Sequence, residues 1–486
     1  MLCGVLIAAP ATAQRTSSTA SPAKVLTAAQ LRALDSHIEQ VRQQWSIPGL
    51  SIAIVQGDSV VFAKGYGVKE VGKTDPVDDR TLFSIGSSGK SMTAAATAML
   101  VDEGKMRFDA PVWTYLPDFR VEDPFVSRYA TIRDLLAHRT GVENSTGAWY
   151  GSPLSRAQPI TQRFRYLKQS FDFRSRLLYN NLMLMAAGEA AAATAGLSFE
   201  DLLDQRLFKP LEMRSTVVSV VQVPPGSNIV TPHRVIDGAP VPIPHRNTQN
   251  IGGAGGYYSS AEMRTVSIPA RTPVVLSDSG TTSLGYGLGW FLEYYRGYRS
   301  IDHGGAIDGM LAAMTVLPEA GIGVVVLTNR DGHAMHTALV QRIFDIALGL
   351  PERDWNGMAL ARMTRAQNAQ GEQAAAPTGA PPSLPVAEYA GTYADSLNGP
   401  VRVTFEAGTL RLAWDNRPGF SARLTPFRFN TFRIVDWESA GVLAPLASLA
   451  TFQLDPSGKP SSLEINNLGS FGVVRERGGR SGPAGN

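Results

Sequence analysis

The chain has 486 residues, of which 44% are hydrophobic and 18% are charged. That composition supports a sizeable folded core, and it excludes a mostly disordered or fibrous chain. The 45 Lys and Arg residues against 42 Asp and Glu residues leave a net charge of +3, which is too small to provide a binding surface for nucleic acid or an anionic membrane. Cys3 is the single cysteine, so a disulfide, a catalytic thiol and a cysteine-based metal site are excluded as well.

The first 13 residues are typical of a secretory signal peptide. Residues 2–10 are almost wholly apolar, and Ala11-Thr12-Ala13 has the small-x-small pattern that signal peptidases cut. This stretch is too short to span a bilayer. Because a basic n-region is missing, a disordered N-terminus is the alternative. We therefore expect a signal peptide over 1–13, a flexible segment over 14–26 and a periplasmic or secreted protein, for which a cysteine-free mature chain is suited.

Helical and strand patterns are mixed in the long segment that follows. Thr27 and Gln30 have the spacing of a capping box, which predicts a helix start, and apolar residues continue at helical spacing to Trp45. Further helices are predicted over 91–103 and 336–348. Strands are predicted over 50–55, 59–63, 287–295, 311–317 and 322–328. Neighbouring antiparallel strands and helices within one segment predict an α+β fold rather than alternating βαβ units.

The composition changes near residue 371, where a stretch rich in Pro and Ala predicts a linker. Beyond the linker, short alternating runs separated by turns predict a small all-β domain of meander type. We expect a main domain over 27–355, a helix tail and linker over 356–385, a β-domain over 386–478 and a disordered tail over 479–486. No internal repeat and no membrane-spanning helix are predicted.

Ser87 and Lys90 lie three residues apart at the start of the helical run, so both side chains are expected on one helix face. A serine hydroxyl is a weak nucleophile, and a neutral amine beside it can take its proton. Lysine has a pKa near 10.4, so keeping it neutral at pH 7 costs roughly 4 kcal/mol, which burial and neighbouring charges would supply. The spacing alone is weak evidence, because Ser21 and Lys24 share it.

Two further elements strengthen that interpretation. Tyr179-Asn180-Asn181 opens a helix rich in Ala and Met, and His303-Gly304-Gly305 precedes a predicted core strand. Taken singly, these residues would be a helix-edge tyrosine, a cap and a turn histidine. Taken together with Ser87 and Lys90, they are much harder to explain by chance, and they indicate a catalytic site. A phenol can relay protons, an amide can hold a carbonyl, and a Gly-Gly turn lets a backbone N–H approach an oxyanion.

Several segments carry a resemblance to a known family. These are FSIGSSGKS (83–91), TIRDLLAHRTG (131–141) and GGAGG (252–256). With them, the chain resembles the serine β-lactamase and penicillin-binding-protein superfamily, in its class C-like branch with D-aminopeptidases and esterases. The resemblance covers about residues 28–350. It implies an antiparallel sheet flanked by helices, together with an all-helical region. The segment from Glu388 is similar to the lipocalin-like β-domain of some of these hydrolases.

The resemblance also implies roles for individual residues. Ser87 would attack the carbonyl and become acylated, while Lys90 and Tyr179 would share its proton. Tyr179 would protonate the leaving group and later activate the deacylating water. The residues that would bind the substrate or form the oxyanion hole, beside the N–H of Ser87 itself, are Asn181, His303, Gly305 and Ala306. No metal or other cofactor is implied.

His303 is a departure from the pattern, because many β-lactamases have a lysine at this position. A histidine with a pKa near 6.5 binds a carboxylate poorly at neutral pH, which favours a peptidase or an esterase. The leading interpretation is an exported serine hydrolase that acts through an acyl-enzyme on small linear peptides, including those with D- or non-proteinogenic residues. A carboxylesterase or a weak β-lactamase is the alternative. A penicillin-binding sensor without turnover, or an inactive binding scaffold, would be a different class.

The substrate is expected to be a short peptide or a small molecule, and for two regions of the chain the sequence allows more than one role. The stretch 161–176 mixes basic and aromatic residues; a solvated face is the simpler interpretation, and attraction of a substrate carboxylate by Arg163 and Arg165 is the alternative. The β-domain could shield the cleft or mediate oligomers, and the sequence does not choose between these roles.

Overall fold

A computed structural model describes residues 22–236, 238–261, 285–375, 379–417, 419–438, 448–466 and 468–474. The predicted signal peptide and the predicted C-terminal tail lie outside the described residues. The backbone N–H of Ala23 donates to the carbonyl of Ala320, and that of Lys24 donates to the carbonyl of Ala347, both at 2.8 Å. The segment that the sequence predicts to be flexible is therefore held against the body of the protein from Ala23 onward.

Helices occupy several separate parts of the chain. They are α1 (Ala28–Gln44), α2 (Lys90–Asp102), α3 (Pro124–Tyr129), α4 (Ile132–Leu136), α5 (Ala157–Gln162), α6 (Asn181–Ala195), α7 (Phe199–Leu203), α8 (Met335–Leu348) and α9 (Trp355–Ala375). The predicted capping box of α1 is confirmed, because the Gln30 N–H donates to Thr27 Oγ1 at 3.2 Å and the Thr27 N–H donates to Gln30 Oε1 at 2.9 Å. Each bond satisfies a backbone donor that the helix itself cannot pair.

Strands of the main domain form one large sheet and two short pairs. They are β1 (Gly49–Gln56), β2 (Ser59–Gly67), β3 (Phe83–Ser84), β4 (His233–Ile236), β5 (Ala239–Pro242), β6 (Tyr258–Ser259), β7 (Gly285–Gly287), β8 (Trp290–Tyr295), β9 (Tyr298–Ile307), β10 (Met310–Leu317) and β11 (Ile322–Thr328). The large sheet has seven strands in the order β2-β1-β11-β10-β9-β8-β7, and neighbouring strands are antiparallel. The predicted α+β fold is confirmed.

The prediction of one strand over 287–295 is wrong. Leu288 and Gly289 have positive φ values of 44° and 86°, and this left-handed backbone reverses the chain between β7 and β8. The alternation of apolar residues continues across the turn, so the pattern alone gives no sign of the break.

Helices cover both faces of the large sheet. On one face α1 and α8 bury apolar side chains such as Ile38 and Phe344 against Ile52 and Val324. The α2 and α6 helices belong to the core on the other face, where most of α6 is buried. The N-terminal ends of α2 and α6 are thereby brought close to β9.

The 3-10 turn Gly86–Gly89, which leads into α2, lies directly against β9. The Ser88 hydroxyl donates to the His303 carbonyl at 2.9 Å. The two backbones approach so closely that a Cβ atom at Gly305 would lie 1.8 Å from the carbonyl oxygen of Ile85. Glycine is required at this position by space, and the turn that carries Ser87 is seated on the strand that carries His303.

The C-terminal strands close into a barrel. They are β12 (Gly391–Asp395), β13 (Gly399–Glu406), β14 (Thr409–Trp414), β15 (Ser421–Arg428), β16 (Thr431–Val435), β17 (Leu449–Leu454), β18 (Pro460–Ile465) and β19 (Gly469–Val473). Each strand pairs with the next, and β12 pairs with β19 to complete an eight-stranded barrel. This confirms the predicted meander and the lipocalin-like architecture. The α9 helix continues to Ala375, and so extends into the stretch predicted as a linker.

Within the described residues, no single helix has the length and apolar character of a membrane span. One pair bent by 79°, Asn181–Ala195 with Phe199–Phe208, meets both criteria when taken together.

The close contact between β9 and the Ser87 turn predicts different effects for two adjacent glycines. We expect Gly305→Ala to lower the free energy of unfolding by about 1–3 kcal/mol, because the new methyl group collides with backbone that cannot move freely. Gly304→Ala is the matched control, since a Cβ there would have its nearest neighbour, the Ala312 carbonyl oxygen, at 3.7 Å. Urea unfolding of both variants makes the measurement, and equal stabilities would contradict the close approach.

Candidate active site

Ser87 lies in the 3-10 turn immediately before α2, and Lys90 is the first residue of that helix. The turn geometry brings the two side chains together, with 2.8 Å between Lys90 Nζ and Ser87 Oγ. Ser87 is half-buried and Lys90 has no exposed surface. The nucleophile candidate is thus accessible, while the amine beside it is shielded from water.

The Lys90 amine has two further partners from distant parts of the chain. Nζ lies 2.8 Å from Asn181 Oδ1 and 2.5 Å from the carbonyl oxygen of Ala254. Both of these oxygens can only accept a hydrogen bond. A neutral amine has two N–H groups and one lone pair, so its two N–H groups match these acceptors. Its lone pair is then directed at Ser87, whose O–H can donate to it.

Burial determines the protonation state of this amine. Loss of hydration lowers the pKa of Lys90 well below its usual value, because a charged ammonium group is stabilised by water and a neutral amine much less so. A neutral Lys90 in contact with the Ser87 hydroxyl is a suitable general base.

Tyr179 lies on the other side of Ser87. Its ring centroid is 4.8 Å from Lys90 Nζ, and its hydroxyl is close enough to Ser87 for that side chain to affect its pKa. Burial raises the pKa of Tyr179, and the nearby Ser87 side chain opposes that effect only in part. The phenol therefore keeps its proton at neutral pH. The resemblance implied that Lys90 and Tyr179 share the Ser87 proton. Their pKa shifts suit them to different functions, with Lys90 able to accept a proton and Tyr179 able to donate one.

The N-terminus of α6 fixes Asn181. The cap of this helix is Asn180, whose side-chain oxygen accepts the N–H of Met183 at 3.2 Å. The side-chain amide of Asn180 donates to the carbonyls of residues 142 and 143, each at 2.9 Å. The backbone N–H of Asn181 donates to Asn144 Oδ1 at 3.0 Å. Because its neighbour provides the cap, the Asn181 side chain is left to contact Lys90. Sequence reasoning did not identify Asn144.

His303 lies on β9 with both ring nitrogens paired. Nδ1 is 2.6 Å from the Gly304 carbonyl oxygen, and Nε2 is 3.0 Å from the Tyr286 hydroxyl. A carbonyl only accepts, so Nδ1 carries the proton and Nε2 accepts from Tyr286. Burial lowers the pKa of His303 to about 3. The ring is neutral, and it could contact substrate through Nε2 only if Tyr286 released it.

Aromatic rings surround this part of the site. The His138 ring centroid lies 4.3 Å from that of Tyr179 and 4.5 Å from that of Tyr286. His138 Nδ1 accepts the N–H of Asn180 at 3.1 Å, so this histidine supports the α6 terminus. Phe291 lies 4.7 Å from Tyr286 and 5.2 Å from His303, measured between centroids. Sequence reasoning missed Tyr286, although its position between two glycines at a strand edge is a usable signal.

The remaining predicted residues lie on β9 next to the Ser87 turn. A Cβ atom at Gly86 would lie 2.7 Å from the backbone nitrogen of Ala306, so the Ala306 amide is adjacent to Ser87. The absence of a side chain at Gly305 permits this approach. The structure therefore brings Lys90 into direct contact with Ser87 and Asn181, and places the Tyr179 ring beside Lys90. His303, Gly305 and Ala306 lie on the neighbouring strand.

Groups of three or more His, Cys, Asp or Glu side chains able to hold a metal ion are not found in the described part of the chain.

The fold and this arrangement of side chains define a serine hydrolase. A family model described as Beta-lactamase matches residues 34–348, and the chain belongs to that family. A second model, described as a domain of unknown function (DUF3471), matches residues 375–474, which include the barrel.

Known relatives cover most of the chain. An unguisins hydrolase of Aspergillus campestris is 28% identical over 472 residues, covering 88% of each chain. An unguisins hydrolase of Aspergillus violaceofuscus is 26% identical over 496 residues, covering 89% of this chain and 87% of the relative. Among solved structures, an octameric penicillin-binding protein homologue from Pyrococcus abyssi has a TM-score of 0.57 at 20% identity and covers 91% of this chain and 99% of its own. That last likeness concerns the fold.

The lowered pKa of Lys90 predicts the direction of the pH dependence. Protonation removes the lone pair, so we expect the rate of Ser87 labelling by a fluorophosphonate to fall as the pH decreases through the Lys90 pKa and to level off above it. Lys90→Arg keeps a permanent charge, and we expect it to lower the rate at least about a hundredfold. Lys105→Arg is the control, since Lys105 is exposed and pairs with Glu103. A pH-independent rate in the wild type would contradict a lysine base.

Proposed function

We propose that this chain hydrolyses amide bonds in small linear peptides through an acyl-enzyme on Ser87, including peptides with D- or non-proteinogenic residues. The observation that carries the proposal is the contact between Ser87 Oγ and the buried Lys90 amine, whose other two bonds are made to acceptors.

The geometry is consistent with a reaction in two steps, which are acylation of Ser87 and hydrolysis of the acyl-enzyme. Lys90 takes the Ser87 proton as Oγ attacks the carbonyl, and the backbone N–H groups of Ser87 and Ala306 receive the developing oxyanion. Tyr179 donates its proton to the leaving nitrogen and recovers one from Lys90. A water then attacks the acyl ester and gives a proton to the Lys90–Tyr179 pair. The pair returns a proton to Ser87 Oγ as the ester bond breaks, so the carboxylic acid product is released and the Ser87 hydroxyl is restored.

One observation favours amide substrates over esters, and another favours peptides over β-lactams. An amide leaving group needs a proton, and the raised pKa of Tyr179 keeps a donor beside Ser87. The neutral His303 offers no cation for a substrate carboxylate such as that of a β-lactam drug. The two relatives named as unguisins hydrolases support a hydrolytic reaction. A carboxylesterase uses the same machinery with less need for leaving-group protonation, and it is the second candidate.

We also propose that the chain is exported. The support for this is the apolar segment 2–10 followed by Ala11-Thr12-Ala13. N-terminal sequencing of the protein recovered from the periplasm or medium tests it: a mature chain that starts at Gln14 is expected, and a cytoplasmic protein that keeps residues 1–13 would contradict export.

Turnover of a matched substrate set tests the function. We expect hydrolysis of D-aminoacyl and L-aminoacyl anilides to exceed that of a chromogenic cephalosporin, and Ser87→Ala to lose at least about a hundredfold in kcat/KM. Ser21→Ala is the control, because Ser21 and Lys24 have the same spacing as Ser87 and Lys90.

Other outcomes of this experiment would indicate a different function or a different nucleophile. Turnover of a short-chain aryl ester without the anilides would identify a carboxylesterase. Covalent labelling of Ser87 without turnover would identify a penicillin-binding sensor. Equal activity of Ser87→Ala and wild type would overturn the nucleophile assignment.

A further inference from the structure

Residues 142–151, which we name the bridge segment, connect the active site to the barrel. On the side of the active site, Asn144 accepts the backbone N–H of Asn181 at 3.0 Å. Tyr150 donates its hydroxyl to Asp308, which lies two residues after Ala306. The bridge segment therefore contacts both the helix that presents Asn181 and the strand that presents the oxyanion-hole amide.

On its other side, the bridge segment is held by Arg417 of the barrel. The Arg417 guanidinium donates from Nη2 to the carbonyl oxygen of Gly147, and from the same nitrogen to the carbonyl oxygen of Asn398 at 3.2 Å. A Cβ atom at Gly147 would lie 2.1 Å from Asn398 Oδ1. The Gly147 backbone thus packs directly against the Asn398 side chain of the barrel, and Arg417 joins the two domains.

The burial of Arg417 is costly. Its exposed fraction is 2%, and burial together with the nearby Arg163 lowers its pKa to about 10. Its Nε and Nη1 have no hydrogen-bond partner among the residues that the structure describes. Burying a guanidinium with unpaired donors opposes folding, so Arg417 is poorly explained as a device for stability alone.

Two more contacts join the barrel to the main domain. Phe420 of the barrel packs edge-on against Tyr150 with 5.7 Å between ring centroids. Arg163 donates to the carbonyls of Leu397 and Ser396 in the loop between β12 and β13. Arg163 therefore contacts the barrel, a role that neither sequence-based interpretation of the stretch 161–176 included.

We propose that the barrel is a positioning element of the active site, and that Arg417 transmits its docking through the bridge segment to Asn181 and to the end of β9. The proposal rests on the hydrolase function of Ser87. It gives the domain of unknown function a task in this chain: with Arg417 in place, Asn144 holds Asn181 against Lys90, and Tyr150 holds Asp308 beside Ala306. Arg417 touches no reacting atom, and it acts only through these residues.

Chemical rescue of Arg417→Ala distinguishes positioning from stability. We expect this variant to lower kcat about ten- to a hundredfold on the best substrate with little change in KM, because small displacements of catalytic groups have effects of that size. Guanidinium chloride at about 50 mM, far below the molar range that unfolds proteins, should restore much of the activity by occupying the space of the lost side chain. Sodium chloride at the same concentration should not.

Arg402→Ala is the matched control. It removes the same charge from an exposed barrel arginine that pairs with Asp415 at 2.9 Å, and neither its kcat nor its response to guanidinium should differ from wild type. Arg163→Ala provides a second variant if Arg417→Ala does not fold, and it should lower kcat in the same direction.

Wild-type kcat in a folded Arg417→Ala would overturn the proposal, and so would a loss of activity that guanidinium deepens. The rate of Ser87 labelling by a fluorophosphonate is measured in parallel. If the wild type turns over no substrate, the proposed function fails, while the labelling rates of Arg417→Ala and Arg402→Ala still decide whether the barrel positions the site.

Discussion

The active site depends on one buried amine. Lys90 has no exposed surface, and its three partners come from three separate parts of the chain: the turn with Ser87, the first residue of α6 and the segment around Ala254. An ammonium ion at this position would lose its hydration without gaining a counter-charge from these partners. The neutral form fits them, and it directs a lone pair at the nucleophile.

Close backbone packing makes this arrangement possible. For its carbonyl to reach Lys90, Ala254 must lie near α2. It directly follows Gly253 and comes two residues before Gly256, and these glycines have φ values of 90° and 92°. The Thr93 hydroxyl donates to the Gly253 carbonyl at 2.6 Å. At Gly89, a Cβ atom would lie 2.0 Å from the Tyr257 ring. The glycines of the GGAGG segment therefore allow the backbone to approach α2 closely enough for the Ala254 carbonyl to contact Lys90.

Local chemistry made much of the site predictable from sequence. A capping box at Thr27 and the spacing of Ser87 and Lys90 involve residues within one helical turn, so a linear pattern contains the whole signal. The pairing of Tyr286 with His303 joins two strands, and the contact of Arg417 with Gly147 spans 270 residues. Neither contact produces a recognisable pattern in the sequence. The turn at Leu288 was not predicted because the alternation of apolar residues continues through it, and only the backbone dihedral angles show it.

Burial disfavours the charged form of any side chain. It therefore shifts the pKa values of Lys90 and Tyr179 in opposite directions, because one is charged when protonated and the other when deprotonated. It lowers the pKa of Lys90 and raises that of Tyr179, so both are neutral, as is His303. Proton transfer from Ser87 then creates a cation on Lys90 and an oxyanion at the same moment. In a poorly hydrated site such a pair attracts strongly at short range. The acceptors at Asn181 and Ala254 are already oriented toward the new cation, and the backbone amides toward the new anion. The site consequently favours charge separation only along the reaction path, which is the condition for stabilising a transition state more than the bound substrate.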